Sequence, residues 1–309
     1  MKLSVLDLAP VIGPADPAAA LEQAAILAQM AERLGYARYW VAEHHDMPGL
    51  ACTAPEVLLA HIGARTQRIR LGSGALLLPH YKPMKVAESF HMLATLYPGR
   101  IDLGIGRAPG GSAHAAIALS GNFLGNVSRM PETLQALMDF LHQRYTYEGQ
   151  PVTARPLPAE SPEVWLLGTN TKSAAFAAQH GAGYVFGQFM SDADSAETIA
   201  AYREQFQPSA HRAEPKAMLA VAAICAETEE EANRLAAESQ AWLRPPSEQM
   251  ASSDMPSGSG RLLAGTPDSL RVKLASLGRL CHADEYLIVS PIPDYEKRLH
   301  SYALLAALK

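Results

Sequence analysis

Residues 3–45, LSVLDLAPVIGPADPAAALEQAAILAQMAERLGYARYWVAEHH, contain the pattern of a strand, a helix and a second strand. The largely apolar run Leu3–Leu8 predicts the first strand. The Asp-Pro pair at 16–17 is typical of a helix N-cap followed by proline in the first turn. Gly35 ends the alanine- and leucine-rich stretch that follows. Tyr39–Ala42 is predicted as the next strand, so the chain begins with a βαβ unit.

The same alternation of strand and helix continues to the end of the chain. Six further apolar runs, each followed by a stretch of helical character, are predicted as strands. They are Ile69–Gly74, Ile101–Ile105, Val164–Gly168, Tyr184–Phe186, Met218–Ile224 and Tyr286–Val289. Thr228 with Glu231, and Thr266 with Pro267, mark the starts of two of the later helices. Eight strand–helix pairs predict a (β/α)8 TIM barrel with insertions, and a doubly wound sheet is the structural alternative.

We assign the chain, residues 1–309, to a single barrel domain, because no linker divides it. Two stretches interrupt the alternation, at about 145–158 and about 245–260. The first contains the turn-forming residues 149–151 and predicts a small hairpin or an extended excursion. The second is rich in Ser, Gly and Pro, and we expect either a lid over the site or a disordered segment.

Composition restricts the class of function. The chain is 48% hydrophobic and 18% charged, close to the composition of an ordinary soluble enzyme. Its net charge of −5 provides no basic field, so we expect no nucleic-acid or membrane partner. No apolar run is long enough to span a membrane. Three scattered cysteines favour a reducing compartment over a disulfide framework or a metal site, which predicts a cytoplasmic location.

Polar and small residues follow several of the predicted strands. Barrel enzymes build their active sites at this carboxyl end of the strands, so we expect these residues to meet in one site. They are Asp7, Glu43-His44-His45, Gly74-Ala75, Gly106-Arg107 and Gly168–Ser173.

His44 and His45 are candidates for acid–base chemistry, because histidine exchanges protons near neutral pH. Side chains alternate along a strand, so one of the two is expected to point inward. The alternative is a structural pair, in which one histidine bonds to Glu43 or Asp46 and the other is solvated. A metal site is less favoured, since the later strand ends lack further histidine and aspartate ligands.

Arg107 is a candidate phosphate ligand. It follows Gly104 and Gly106, which allow a ligand to approach the backbone, and a guanidinium binds phosphate well. The alternative is an ion pair between Arg107 and Asp102 or another nearby acid.

Residues 168–173 open a helix, where free N–H groups and the hydroxyls of Thr169 and Ser173 favour an anion. The alternative there is ordinary N-capping by Thr171 or Asn170. Arg107 and this helix start follow neighbouring strands, so we expect them to bind one phosphate together.

Several ordered motifs cover nearly the whole chain. They are LSVLDLAPV (3–11), WVAEHH (40–45), IRLGSGALLLPHYKP (69–83), LYPGRIDLGIGRAPGG (96–111), LLGTNTKSA (166–174), GTPDSLRVKLASL (265–277) and YLIVSPIPDYEKRLHSY (286–302). With these motifs the chain resembles the bacterial-luciferase-like, flavin-dependent monooxygenases, specifically the small single-chain subgroup. The resemblance implies a monooxygenase that uses reduced FMN and O2 to oxygenate a small organic substrate. It also implies a separate flavin reductase that supplies the reduced FMN, and a homodimer.

The resemblance also implies roles for individual residues. Gly74 and Ala75 match a cis peptide bond beneath the flavin ring, and Arg107 matches the phosphate-binding arginine. Thr169, Asn170 and Ser173 match the rest of the phosphate site. His44 and His45 match the active-site histidines, for which we expect a catalytic role. Asp7 and Gly106, at their strand ends, are further expected cofactor contacts.

Alternative functions remain open at this point. Gly106 occupies the position of a reactive cysteine in the luciferase catalytic subunit, so light emission is not expected. Part of the superfamily uses a deazaflavin, which makes a hydride-transfer oxidoreductase the second possibility. A non-catalytic flavin-binding protein is the third. A phosphosugar aldolase or isomerase ranks lower, since no lysine stands at a predicted strand end.

Overall fold

A computed structural model describes residues 1–209, 211–243 and 261–308. Twelve strands lie within these ranges: β1 Leu3–Asp7, β2 Arg38–Val41, β3 Arg70–Ser73, β4 Leu76–Leu77, β5 Ile101–Gly106, β6 Thr146–Tyr147, β7 Gln150–Pro151, β8 Glu163–Gly168, β9 Gly183–Gly187, β10 Ala217–Cys225, β11 Leu262–Gly265 and β12 Glu285–Val289. The described α-helices are α1 Pro17–Arg33, α2 Pro55–Gly63, α3 Pro83–Leu96, α4 Ala113–Ser120, α5 Phe123–Ser128, α6 Met130–Leu141, α7 Thr171–Gln179, α8 Ser195–Gln205, α9 Glu229–Leu243, α10 Pro267–Cys281 and α11 Tyr295–Leu305.

Eight of the strands form a closed parallel barrel. Their order around it is β1, β2, β3, β5, β8, β9, β10 and β12, and β12 pairs with β1 to complete the circle. Each corresponds to one of the eight predicted strands. The (β/α)8 TIM barrel is therefore confirmed, and the doubly wound alternative is wrong.

The helices begin where the sequence predicts caps. The side chain of Asp16 accepts a hydrogen bond from the Ala19 N–H at 2.8 Å. Thr228 accepts in the same way from Glu231 at 3.1 Å, and Thr266 accepts from Ser269 at 3.3 Å. These bonds satisfy donors that the first helical turn leaves without an acceptor. Among the described helices, none combines the length and the hydropathy needed to cross a lipid bilayer.

Several elements depart from the simple alternation. β6 and β7 form an antiparallel hairpin inside the first predicted insertion. The second predicted insertion, about 245–260, lies outside the described residues. Helices α4 and α5 follow β5. The short strand β4 pairs with β5, and the short strand β11 pairs with β10. None of these four elements is predicted from the sequence.

Two apolar cores hold the barrel together. One lies between the strands and the surrounding helices. The other fills the barrel and includes Trp40 and Trp165, whose rings meet edge to face at 5.9 Å between centroids. Both tryptophans are almost fully buried and give the barrel interior its two largest side chains.

A network of buried charges lies at the amino ends of the strands. The guanidinium of Arg38 is 2.7 Å from the Asp102 carboxylate and 3.1 Å from that of Glu285. Asp102 also accepts hydrogen bonds from Arg70 at 3.0 Å and from the indole of Trp40 at 2.9 Å. These contacts occupy the Asp102 carboxylate at the pole of the barrel opposite the carboxyl ends of the strands.

We predict that Asp102→Ala destabilises the fold by about 3 kcal/mol or more, because it leaves the buried Arg38 charge incompletely paired. The measurement is the free energy of unfolding in urea. Asp268→Ala is the control, since the Asp268 side chain is 94% exposed beside Arg271 and its loss is expected to cost less than about 1 kcal/mol. Equal effects of the two substitutions would contradict a structural role for the network.

Candidate active site

A cavity of about 370 Å³ opens at the carboxyl ends of the barrel strands. Its size lies in the range of ligand-binding clefts. Much of the wall is apolar, and it includes Leu6, Leu8, Leu77, Leu167, Val185 and Phe189. The polar side chains of the wall are Glu43, His44, Arg107, Thr169, Asn170 and Ser173. A largely apolar wall with few polar groups is the usual composition of a small-molecule site.

Most of the residues singled out in the sequence meet at this cavity. The predicted residues that line it are His44, Gly74, Ala75, Gly106, Arg107, Thr169, Asn170 and Ser173. Asp7 and His45 are not part of the lining. Residues from four parts of the chain are thus brought together, because all of them lie at or just after the carboxyl ends of parallel strands of one barrel.

Asp7 has a different place from the one expected. Its carboxylate is fully buried and accepts hydrogen bonds from the Arg298 guanidinium at 2.8 Å, from the Ala9 N–H at 2.9 Å and from the Tyr39 hydroxyl. We expected Asp7 to contact a cofactor, but its carboxylate is bonded within the protein and does not line the cavity. The carboxylate instead joins α11 to the first strand.

The two adjacent histidines point in different directions, as the alternation along a strand predicts. His44 lines the cavity and is only 5% exposed. The Nε2 atom of His45 is 2.7 Å from a carboxylate oxygen of Glu43, and its ring meets His80 edge to face. His44 is therefore the histidine placed to reach a bound molecule, whereas His45 is part of the supporting structure.

Glu43 lines the cavity, as its place at a strand end predicts, and the only role predicted for its side chain was a bond to a histidine. Its carboxylate accepts hydrogen bonds from the Leu77 N–H and the Tyr81 hydroxyl, both at 2.9 Å. Burial raises the pKa of Tyr81, and the neighbouring Glu43 carboxylate raises it further. The Tyr81 hydroxyl therefore stays protonated and donates at neutral pH. The available sequence signal was the position of Glu43 between a strand and His44.

Arg107 directly follows β5 and is half-buried in the cavity wall. Within the described ranges, no carboxylate lies at ion-pair distance from its guanidinium. Asp102 is five residues earlier on the same strand, which is about 16 Å at the rise of a strand, and it is paired with Arg38 and Arg70. The alternative of an Arg107–Asp102 ion pair is therefore wrong.

The start of α7 forms the wall next to Arg107. The Asn170 side chain caps the helix by accepting from the Ser173 N–H at 3.1 Å, and the Ser173 hydroxyl donates to the Asn170 carbonyl at 2.7 Å. N-capping by Asn170, one of the two alternatives, thus occurs. The N–H groups of Thr171 and Lys172 remain without an intrahelical acceptor, as in every first helical turn, so the cap does not prevent anion binding.

Tyr184 contacts the start of α7. Its hydroxyl is 3.1 Å from the Ser173 Oγ. Burial raises the pKa of Tyr184 to about 12, while the nearby charge of Arg107 opposes the rise. The Tyr184 hydroxyl is accordingly protonated at neutral pH. Arg107 and the start of α7 line the same cavity.

Gly74, Ala75 and Gly106 form a closely packed side of the cavity. The peptide bond between Gly74 and Ala75 is cis, as the resemblance implied. A Cβ atom on Gly106 would lie 2.9 Å from the Cβ of Ala75, and one on Gly74 would lie 2.6 Å from a methyl group of Leu6. Such distances are too short for real Cβ atoms, so a larger residue at either position requires its neighbour to shift.

The fold is a parallel barrel, and its cavity is lined by apolar walls, one arginine and a helix N-terminus. Residues 1–276 match the luciferase-like monooxygenase family. The N-acetyl-S-alkylcysteine monooxygenase of Bacillus subtilis is 34% identical, and the match covers 99% of this chain and 97% of that protein. The chain therefore belongs to the luciferase-like monooxygenase family and is an oxidoreductase of the monooxygenase class.

Two solved structures have the same fold. The crystal structure of apo-MsnO8 has a TM-score of 0.89 and 36% sequence identity, covering 99% of this chain and 98% of that one. The oxygenating constituent of 3,6-diketocamphane monooxygenase from Pseudomonas putida, solved in complex with FMN, has a TM-score of 0.73 and 20% identity, covering 99% and 97%. At that identity, the second likeness concerns the fold alone.

We predict that Gly168→Ala disturbs the start of α7, because the new Cβ would lie 2.0 Å from the Ser173 Oγ and 2.3 Å from its Cβ. Overpacking of this kind costs about 1–3 kcal/mol of unfolding free energy. Gly49→Ala is the control, since no atom lies within 4 Å of a Cβ at that exposed position. If thermal unfolding shows the two variants to be equally stable, the packing described for the helix start is incorrect.

Proposed function

We propose that the protein is an FMN-dependent monooxygenase that uses reduced flavin and O2 to oxygenate a small organic substrate. The main support is Arg107, a half-buried cation in the cavity wall that has no carboxylate partner within the described residues. A cation in this position needs an anion, and a phosphate group is a suitable one. The cofactor of the proposed reaction carries such a phosphate.

The residues of the cavity fit FMN in chemical character. Arg107 and the free N–H groups at the start of α7 would hold the phosphate, since both favour a doubly charged anion. The apolar side chains from β1, β8 and β9 would surround the flavin ring. The Gly74–Ala75 segment would form the surface against which the flat ring lies. When bound, reduced FMN supplies the reaction with dioxygen and the transfer of oxygen to the substrate.

The remaining work belongs to the side chains of the protein. His44 would hold or release a proton at its ring nitrogen beside the reacting atoms, because it lines the cavity and histidine titrates near neutral pH. Leu6, Leu8 and Phe189 would exclude water from the reaction. His45, bonded to Glu43, would support this arrangement without touching the substrate.

We propose that a separate flavin reductase supplies reduced FMN and that the protein forms a homodimer. Val57 on α2 and Met92 and Leu96 on α3 are 66%, 52% and 57% exposed. These helices pack side by side after β2 and β3, so a second copy would cover an apolar face. Sedimentation equilibrium tests the dimer, and a monomer at micromolar concentration would refute it.

The cofactor assignment is tested by titrating the protein with FMN and with a deazaflavin. Micromolar binding of FMN, together with oxygen consumption that depends on substrate, is the expected result. Preference for the deazaflavin would favour hydride transfer, and flavin binding without turnover would favour a non-catalytic flavoprotein. Binding of neither would refute the proposal.

We predict that Arg107→Ala weakens the binding of FMN by about 10- to 100-fold, the value of a charge-assisted hydrogen bond. Riboflavin lacks the phosphate, so its affinity should change by less than about twofold. Both dissociation constants can be measured by quenching of flavin fluorescence. Arg271→Ala, an exposed arginine on α10, is the control and should change neither. Equal losses for FMN and riboflavin would contradict the phosphate assignment.

We predict that His44→Ala lowers turnover by about 10²-fold or more, the usual contribution of a general acid or base. The affinity for FMN should stay within about twofold of the wild-type value, because His44 is not assigned to the phosphate. Steady-state oxygen consumption and product formation provide the measurement. His300→Ala, at an exposed position on α11, should retain full turnover. Unchanged turnover in His44→Ala would remove His44 from the mechanism.

A further inference from the structure

We propose that Glu43 is a positioning residue. Its contacts fix the relative positions of the three loops that surround the flavin site. The loops follow β2, β3 and β5, and they contain His44, the Gly74–Ala75 segment and Arg107 respectively. The inference rests on the proposed flavin site. It concerns a residue that acts through its neighbours.

Glu43 binds the loop after β3 at three points. Its backbone N–H donates to the Ala75 carbonyl at 3.2 Å. One carboxylate oxygen accepts from the Leu77 N–H and the other from the Tyr81 hydroxyl, both at 2.9 Å. The position of the Gly74–Ala75 wall therefore depends on Glu43 through both its backbone and its side chain.

Glu43 reaches the loop after β5 through His45. The His45 ring is 2.7 Å from the Glu43 carboxylate, and the His45 backbone N–H donates to the Gly110 carbonyl at 2.7 Å. A Cβ atom on Gly111 would lie 2.2 Å from the His45 carbonyl oxygen, so the two loops are in close contact. This loop begins with Arg107, and its position is thus coupled to the carboxylate.

The burial of Glu43 makes this arrangement sensitive to change. Its side chain is fully buried, so water is not available to replace a lost partner. Two of its side-chain partners, Leu77 and Tyr81, lie after β3, and the third, His45, connects it to the loop after β5. An amide in place of the carboxylate keeps one oxygen for the Leu77 N–H but turns an NH2 group towards the Tyr81 hydroxyl and the His45 Nε2. Both partners would then have to accept a hydrogen bond, and the charge-assisted bonds to the carboxylate would be lost.

This coupling has a characteristic consequence for binding. A shift of the Gly74–Ala75 segment would change the part of the cavity proposed for the flavin ring. FMN and riboflavin have the same ring. Loss of Glu43 should therefore weaken both flavins, whereas loss of Arg107 should weaken FMN alone. The surroundings of the ring should change as well, and the visible absorption spectrum of bound flavin reports on them.

The experiment compares Glu43→Gln, Tyr81→Phe and Glu285→Gln with the wild type. Glu285→Gln is the matched control, since Glu285 is a buried carboxylate at the opposite pole, bonded to Lys2, Ser4 and Arg38. We expect Glu43→Gln to raise both dissociation constants about tenfold or more and to alter the absorption bands of bound flavin. Tyr81→Phe should do the same to a smaller degree. Glu285→Gln should lower the melting temperature and leave both constants and the spectrum unchanged.

Constants for Glu43→Gln within twofold of the wild type would overturn the inference, and so would a loss confined to FMN. If Glu43→Gln does not fold, Tyr81→Phe decides by the same criteria. A wild-type protein that binds neither flavin would overturn the proposed function and this inference together. Wild-type binding with unaffected variants would overturn the inference alone.

Discussion

Among the residues that the structure describes, the charge of Arg107 has no carboxylate partner, and the account of the site depends on this constraint. Strand β5 carries Asp102 near its amino end and is followed by Arg107 at its carboxyl end. Asp102 is paired with Arg38 and Arg70, so it cannot neutralise Arg107. A half-buried cation without a partner is costly, and an anionic ligand removes that cost. Because Asp102 and Arg107 lie at opposite ends of β5, the guanidinium in the cavity wall favours a negatively charged ligand.

The polar residues at the two ends of the barrel differ in their contacts. At the amino pole, carboxylates and arginines are paired with one another and bury their charge. At the carboxyl pole, Asp7 joins Arg298 of α11 to the first strand, and the loops beside it carry the groups that face the cavity. A rigid barrel with functional loops at this pole is the arrangement found throughout barrel enzymes.

The fold could be predicted because its signals are local. Each barrel strand is a short apolar run, and Pro, Gly or a capping side chain marks the adjacent helix ends. Strand β4 has two residues, too few to produce a period that can be recognised. Strand β11 has four, as many as the predicted β2 and β3, and was missed. Helices α4 and α5 are also short, with eight and six residues. Such elements depend on tertiary contacts more than on their own pattern.

The site was predictable in part, for the same reason. Arg107 and the start of α7 stand directly after strands, and their positions follow from the barrel. The partners of Glu43 lie 34 and 38 residues away at Leu77 and Tyr81, so local sequence gives no sign of them. Asp7 was assigned to the cofactor because it ends a strand, and its partner Arg298, 291 residues distant, leaves no sign in the local sequence.

A crystal structure determined after soaking with FMN tests the central claim most directly. The account predicts the phosphate in contact with the Arg107 guanidinium and the first-turn N–H groups of α7, with the ring against Gly74 and Ala75. An empty cavity at saturating FMN, or a flavin whose phosphate lies away from Arg107, would contradict it.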